Sequence, residues 1–173
     1  CNANIFRLLR EFPDAAVTAI GKRACDRTGE AFVSSEVFSY ANALETAKTL
    51  CARFAAGEFD RLGILCTRYV SMMSQVAEVR WILPLTAEEK GDTGVIFEPD
   101  AATILDAAVP TFVAGKLFAA VMESFASEVA ARRVAMDAAG KNAQTMIDEL
   151  QLQYNRARQS TITQEITEIV AGS

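Results

Sequence analysis

The sequence predicts an α/β domain followed by one long C-terminal helix. Three observations carry this reading. Short apolar runs alternate with helical patterns as far as Pro110, helical periodicity then continues without proline from Thr111 to Ser173, and 51% of the 173 residues are hydrophobic against 23% charged. Strands interleaved with helices are the pattern of helices packed on a sheet, and the composition is that of a folded chain. The division falls between residues 1–110, the α/β domain, and residues 111–173, the helix.

Each element has its own signal. Asn4 to Phe12 reads as a helix with Ile5, Leu8, Leu9 and Phe12 on one face, stopped by Pro13. Val17 to Ile20 reads as a buried strand ending at Gly21. Tyr40 to Ala56 is an amphipathic helix, because Ala43, Leu44, Ala47, Leu50, Cys51 and Phe54 recur at three and four, and Gly57 closes it. Arg61 to Val70 and Val79 to Leu83 read as strands rich in residues that suit a pleated surface. Thr86 to Thr93 reads as polar loop and Val95 to Phe97 as a short edge strand. Trp81, among apolar neighbours, is assigned to the core.

Composition removes several classes of function. There is no histidine, which excludes histidine general bases, Ser-His-Asp and Cys-His pairs, and histidine metal sites. A formal net charge of −5 argues against nucleic acid as the partner. Cys1, Cys25, Cys51 and Cys66 show no C-x-x-C spacing and read as buried free thiols of a reducing compartment. The start, Cys1-Asn2-Ala3-Asn4, has neither the basic nor the apolar region of a signal peptide. It also lacks methionine, as a piece of a longer protein would. Thr111 to Phe125, broken by Lys116 and Glu123, is too short for a membrane span.

Known catalytic patterns fail. Ala16 to Arg23 is a near miss for a phosphate loop, without its first glycine and with Arg23 where Ser or Thr would hold magnesium. No dinucleotide fingerprint follows a strand. Glu165 and Glu168 read as a helix edge rather than as an acid–base pair. No catalytic, cofactor-binding or metal site is expected.

The long helix sets its own problem. Roughly 60 helical residues reach about 90 Å, whereas a domain of about 110 residues has a radius of gyration near 13 Å. Most of the helix is therefore expected to project and to be covered by other polypeptide. Met136, Ala143, Leu150 and Ala157 recur every seven residues, with Ala139, Met146, Ile147 and Tyr154 at the intervening positions. That is a coiled-coil seam of about three heptads. Ile162, Ile166, Ile169 and Val170 add apolar surface near the end. The polar cluster from Asn155 to Glu165 lies between them. On spacing alone it is either an exposed helix face or a partner surface with specific hydrogen bonds.

Glu123 to Ala143, with Glu128, Arg132, Met136 and Asn142, resembles the gamma subunit of F-type ATP synthases. Tyr154 to Gly172, with Asn155, Arg158, Gln159, Ile162, Thr163, Glu165, Glu168 and Ile169, is similar to that family's C-terminal signature. Weaker likenesses at Gly21-Lys22, Gly57 to Asp60, Thr67 to Ser71 and Leu83 to Leu85 extend it over nearly the whole chain. The resemblance implies a small Rossmann-like α/β domain and a C-terminal helix that forms half of an antiparallel coiled coil. It also implies a non-catalytic central-stalk rotor subunit that couples proton flow to ATP synthesis or hydrolysis. The implied partners are the hexamer of alpha and beta subunits, the epsilon subunit and the c-ring, at the cytoplasmic face of a bacterial plasma membrane or the matrix face of the mitochondrial inner membrane. Arg158, Gln159, Thr163 and Glu165 would contact a beta-subunit loop, and Ile166, Ile169 and Val170 would turn within an apolar collar.

The chain departs from the family at several points. The N-terminal helix that pairs with the C-terminal one is missing, and Cys1-Asn2 lacks the glycine of a Leu-Cys-Gly stretch. Gly140 stands where a better helix former is usual, Ser173 falls short of the usual end, and the chloroplast regulatory cysteine pair has no counterpart. Two other readings remain open on the residues: an α/β enzyme with a helical dimerisation arm, and a passive coiled-coil adaptor.

Overall fold

The computed structural model describes residues 2–29, 37–85, 98 and 100–172. Its elements are α1 (Asn2–Leu9), α2 (Lys22–Thr28), α3 (Tyr40–Ala55), β1 (Leu62–Ser71), β2 (Ser74–Leu83) and α4 (Ala101–Ala171). The chain falls into two compact units, Cys1–Ala131 and Arg132–Ser173. The expected loop at Thr86 to Thr93 and the strand at Val95 to Phe97 lie outside the described residues.

α3 forms where its periodicity placed it because both ends are closed by their own chemistry. Ser39 Oγ accepts the Asn42 N–H while Asn42 Oδ1 accepts the Ser39 N–H, a reciprocal cap. At the other end Gly57 takes φ +76°, and the N–H groups of Gly57 and Glu58 donate to Phe54 and Arg53 carbonyls. Only glycine enters that left-handed conformation without a Cβ penalty.

β1 and β2 form an antiparallel hairpin with Ser71 opposite Ser74 across Met72 and Met73. β2 begins five residues earlier than its apolar alternation suggested. Its first half, Ser74 to Glu78, is too polar to read as a strand, and pairing with β1 supplies what propensity does not. Val17 to Ile20 forms no strand, although Ala19 is buried. A short apolar run is the same signal for a strand and for a buried connection. The helix after it, α2, is too short and polar to have been read.

Trp81 is not in the core; it is 51% exposed. Its ring lies over Gly63 of β1, meets Phe12 edge to face at 5.8 Å and carries Arg61 at 5.6 Å. The next two residues, Ile82 and Leu83, are the buried ones. They join Phe38, Ala43 and Ala47 with Val113, Ala114, Leu117 and Val121 of α4 in one core cluster. Ala43, Ala47 and Ala114 are fully buried.

α4 starts at Ala101, ten residues before the expected Thr111, and passes through Pro110. Asp100 caps it: one carboxylate oxygen accepts the Thr103 N–H at 2.9 Å and the other the Thr103 hydroxyl at 2.8 Å. That cap opens a helical turn well before the proline. Interior proline costs about 3 kcal/mol, which the buried contacts from Val113 onward offset. Against expectation, an 18-residue window of α4 with mean hydropathy 1.6 is long and apolar enough to cross a membrane by length and composition. Only 22% of that window is buried; Val113, Ala114, Leu117, Ala120 and Val121 of α4 are among the buried residues of the first unit. In the second unit every described side chain except Val134 is exposed.

A Cβ at Gly63 would stand 3.0 Å from the Trp81 ring and 3.2 Å from Val79 Cγ1. Gly63→Ala is expected to displace the ring and destabilise the first unit by about 1–2 kcal/mol. Trp81 is the only tryptophan, so its emission in a urea titration reads both effects; an unchanged spectrum and midpoint would refute the packing account.

Candidate functional site

The candidate residues of the second unit all belong to one helix, so their geometry follows from its period. At about 100° per residue, Arg158, Gln159, Thr163 and Glu165 share with Ile166, Ile169 and Val170 an arc of about 160°. Met136, Ala139, Ala143, Met146, Ile147, Leu150, Tyr154 and Ala157 share an adjoining arc of about 100°. The structure thus brings the polar cluster and the apolar tail together on one side and places the seam next to them.

Both arcs are open to solvent. Met136, Met146, Leu150, Tyr154, Ile166, Ile169 and Val170 are all exposed, Ile169 to 73%. Exposure of this many large apolar groups on one helix is uncommon on a self-sufficient surface. The polar residues divide by position. Lys141 pairs with Asp137 at 2.9 Å, Gln144 with Asp148 at 2.9 Å and Gln164 with Glu168 at 3.0 Å, each one helical turn apart. Thr163 donates its hydroxyl to the Gln159 carbonyl at 2.8 Å. The side chains of Arg158, Gln159 and Glu165, by contrast, make no hydrogen bond or ion pair among the described residues. They present a guanidinium, an amide and a carboxylate on the arc that also carries Ile166 and Ile169. That arrangement suits specific hydrogen bonds bordered by apolar contact.

In the first unit α4 is held at Glu123 and Ser124 by a polar cluster that sequence reasoning did not find. The Tyr69 N–H donates to Glu123 Oε1 at 3.1 Å and the Thr67 N–H to Ser124 Oγ at 3.1 Å. Arg80 of β2 reaches Glu123 Oε2 at 2.8 Å and Glu78 at 2.5 Å, and Glu78 also takes Arg68 at 2.7 Å. The Arg80 guanidinium and the Tyr69 N–H hold the Glu123 carboxyl below the usual carboxylate range, against partial burial. Arg80 and Arg68 lower Glu78 in the same way. A signal was available: Glu123 stands in an otherwise apolar stretch on the packed half of a helix, where a charge needs a partner.

An apolar cavity of about 610 Å³ also lies in the first unit. It runs along Val113, Leu117, Ala120 and Ser124 of α4 and is faced by Ile5 and Leu9 of α1. Spacings of three and four along α4 give it the outline of a helix groove. Cys25 and Cys66 are buried and Cys51 half-buried, all as free thiols. Burial pushes the Cys51 and Cys66 thiols up, towards the protonated form. Among the described residues no group of three or more Cys, Asp or Glu is placed to hold a metal ion.

A family model described as ATP synthase matches residues 1–173. The chain is 36% identical over 191 residues to the ATP synthase gamma chain of Ruminococcus albus, covering 99% of this chain and 67% of that one. It is 34% identical over 206 residues to the sodium ion specific ATP synthase gamma chain of Acetobacterium woodii, covering 99% and 68%. With the ATP synthase gamma chain of Xanthomonas campestris it is 45% identical over 130 residues, covering 73% of this chain and 45% of that one. The sequence thus spans about two thirds of the first two relatives and less than half of the third. In fold it is similar to the rotor of the Euglena gracilis mitochondrial ATP synthase, with a TM-score of 0.61 at 18% identity over 93% of this chain and 68% of that one.

The depressed pKa of Glu123 carries a pH dependence. A carboxylate stabilised in the folded state contributes above its unfolded pKa and loses the contribution as pH falls through the folded value. Glu123→Gln is therefore expected to cost about 1 kcal/mol at neutral pH, with the gap closing on acidification below the ordinary carboxylate range. Urea unfolding of both proteins at several pH values measures it, and a gap independent of pH would show that charge plays no part.

Proposed function

The chain belongs to the gamma-chain family of ATP synthases, the central-stalk subunits of these rotors, and we propose that it transmits rotation between a membrane ion path and the nucleotide sites of the complex. The observation that carries this reading is the exposed double arc of α4. It joins a coiled-coil seam to a row of polar side chains and an apolar tail. Ion movement, ATP chemistry and the chain itself would then be three separate parts of one machine. The chain is non-catalytic in this reading, its role being to bias sites on other subunits between states of different affinity.

In the same proposal the partners are the alpha and beta subunits in a hexamer, with the epsilon subunit and the c-ring at the α/β domain of residues 1–110. Residues 111–173 form the shaft. The complex is membrane-associated, and the chain sits peripherally on its cytoplasmic face, or on the matrix face in a mitochondrion. The seam from Met136 to Ala157 takes an antiparallel helix of the gamma chain. Alanines at 139, 143 and 157 suit a close approach. Arg158, Gln159, Thr163 and Glu165 engage a beta-subunit loop, where directional bonds hold the shaft at defined angles. Ile166, Ile169 and Val170 run in an apolar collar, because non-directional contact opposes turning less than fixed hydrogen bonds do.

Gln159→Leu or Arg158→Ala is expected to lower ATP-driven rotation and coupled hydrolysis roughly tenfold, the effect of losing about 1.4 kcal/mol of directional contact, while the complex still assembles. Single-molecule rotation together with ATPase assays on the purified complex measures this. Normal rotation by both variants would take these side chains out of the mechanism. An adaptor would behave differently: the chain would self-associate instead of co-purifying as one copy per hexamer.

A further inference from the structure

The polar cluster at Glu123 does more than add stability to α4, because of where its bonds point. Thr67 and Tyr69 are alternate residues of β1 opposite Ala77 and Gln75, and their N–H groups go to α4 rather than to β2. Consecutive residues of one helix, Glu123 and Ser124, thus occupy two successive outward donors of a strand, about 7 Å apart along it. The second Glu123 oxygen takes Arg80 from the other strand at 2.8 Å. One turn of α4 is tied to both strands of the hairpin by three directional contacts.

The remaining grip on α4 is of a different kind. Val113, Ala114, Leu117 and Val121 pack by apolar contact, several through alanine-sized surfaces. Such contact is non-directional and tolerates small rotations of a helix about its axis, whereas hydrogen bonds weaken steeply once misaligned. Turning α4 would move Glu123 and Ser124 away from both strand donors together. The same helix continues to Ala171 and carries the seam and the polar row.

We propose that Glu123 and Ser124 are a rotational key: positioning residues that lock the angle of α4 against the β1–β2 hairpin, so that torque applied to the α/β domain enters the helix instead of being lost as slip. This rests on the rotor reading and adds the place where torque crosses from sheet to shaft. Arg80 is the charged half of the key, and Glu78 holds Arg80 in position.

The test uses the ATP synthase assembled with the full chain, wild type against Glu123→Gln combined with Ser124→Ala. Two quantities are read: amide hydrogen exchange at Thr67 and Tyr69, and ions pumped per ATP hydrolysed. Exchange at both amides is expected to rise about five- to thirtyfold, the population change that follows loss of the key, and ions pumped per ATP to fall at least about twofold. Faster exchange with unchanged pumping per ATP overturns the key, as does unchanged exchange. If the double variant does not assemble, Ser124→Ala alone is read at the Thr67 amide and in the same pumping ratio, with the same two refuting results. A wild-type complex that hydrolyses ATP without pumping sinks the rotor reading and the key with it, and it does so before any variant is compared.

Discussion

Burial of α4 between Val113 and Val121 against Ala43, Ala47, Ile82 and Leu83 is the contact on which the other features depend. Three alanines at this contact, Ala43, Ala47 and Ala114, are wholly enclosed. Apolar packing of this sort gains dispersion and hydrophobic free energy but specifies orientation weakly. It anchors the helix. It also accounts for Pro110, whose missing hydrogen bond is tolerated just before the best-buried stretch begins.

Directional bonds add what that packing lacks. Glu123 receives a guanidinium on one oxygen and a backbone N–H on the other, and Ser124 receives the neighbouring outward donor. An unpaired strand edge exposes a row of such donors and invites association with other chains. Here the helix uses two of them, so the same contacts cover an edge and fix an angle. Past Arg132 the balance reverses, with large apolar side chains exposed and i, i+4 pairs decorating the surface.

Much of this was legible from residue order. α3 declared itself by spacing at three and four and by Gly57; β1 by its run of strand-forming residues; the helix beyond Pro110 by unbroken periodicity. The angular grouping of the apolar stripe and the polar row was readable because both lie within one helix, where sequence distance converts directly to angle. What escaped shares one cause. The start of α4 at Asp100, the full length of β2 and the exposure of Trp81 are each decided by a partner distant in sequence or by a cap stronger than the nearby proline. Val17 to Ile20 shows the same in reverse, since an apolar run becomes a strand only when another strand lies alongside it.

Residue order alone determined that these 173 residues contain no histidine, that they include a long helix with an apolar stripe, and that Arg158, Gln159, Thr163 and Glu165 share a side with Ile166 and Ile169. These are properties of composition and of a fixed helical period. Tertiary structure alone decided that Trp81 covers Gly63 at the surface and that Glu123 meets Arg80 and Tyr69. Those contacts join positions more than ten residues apart, and no local period carries that information; it exists only once the chain has closed on itself.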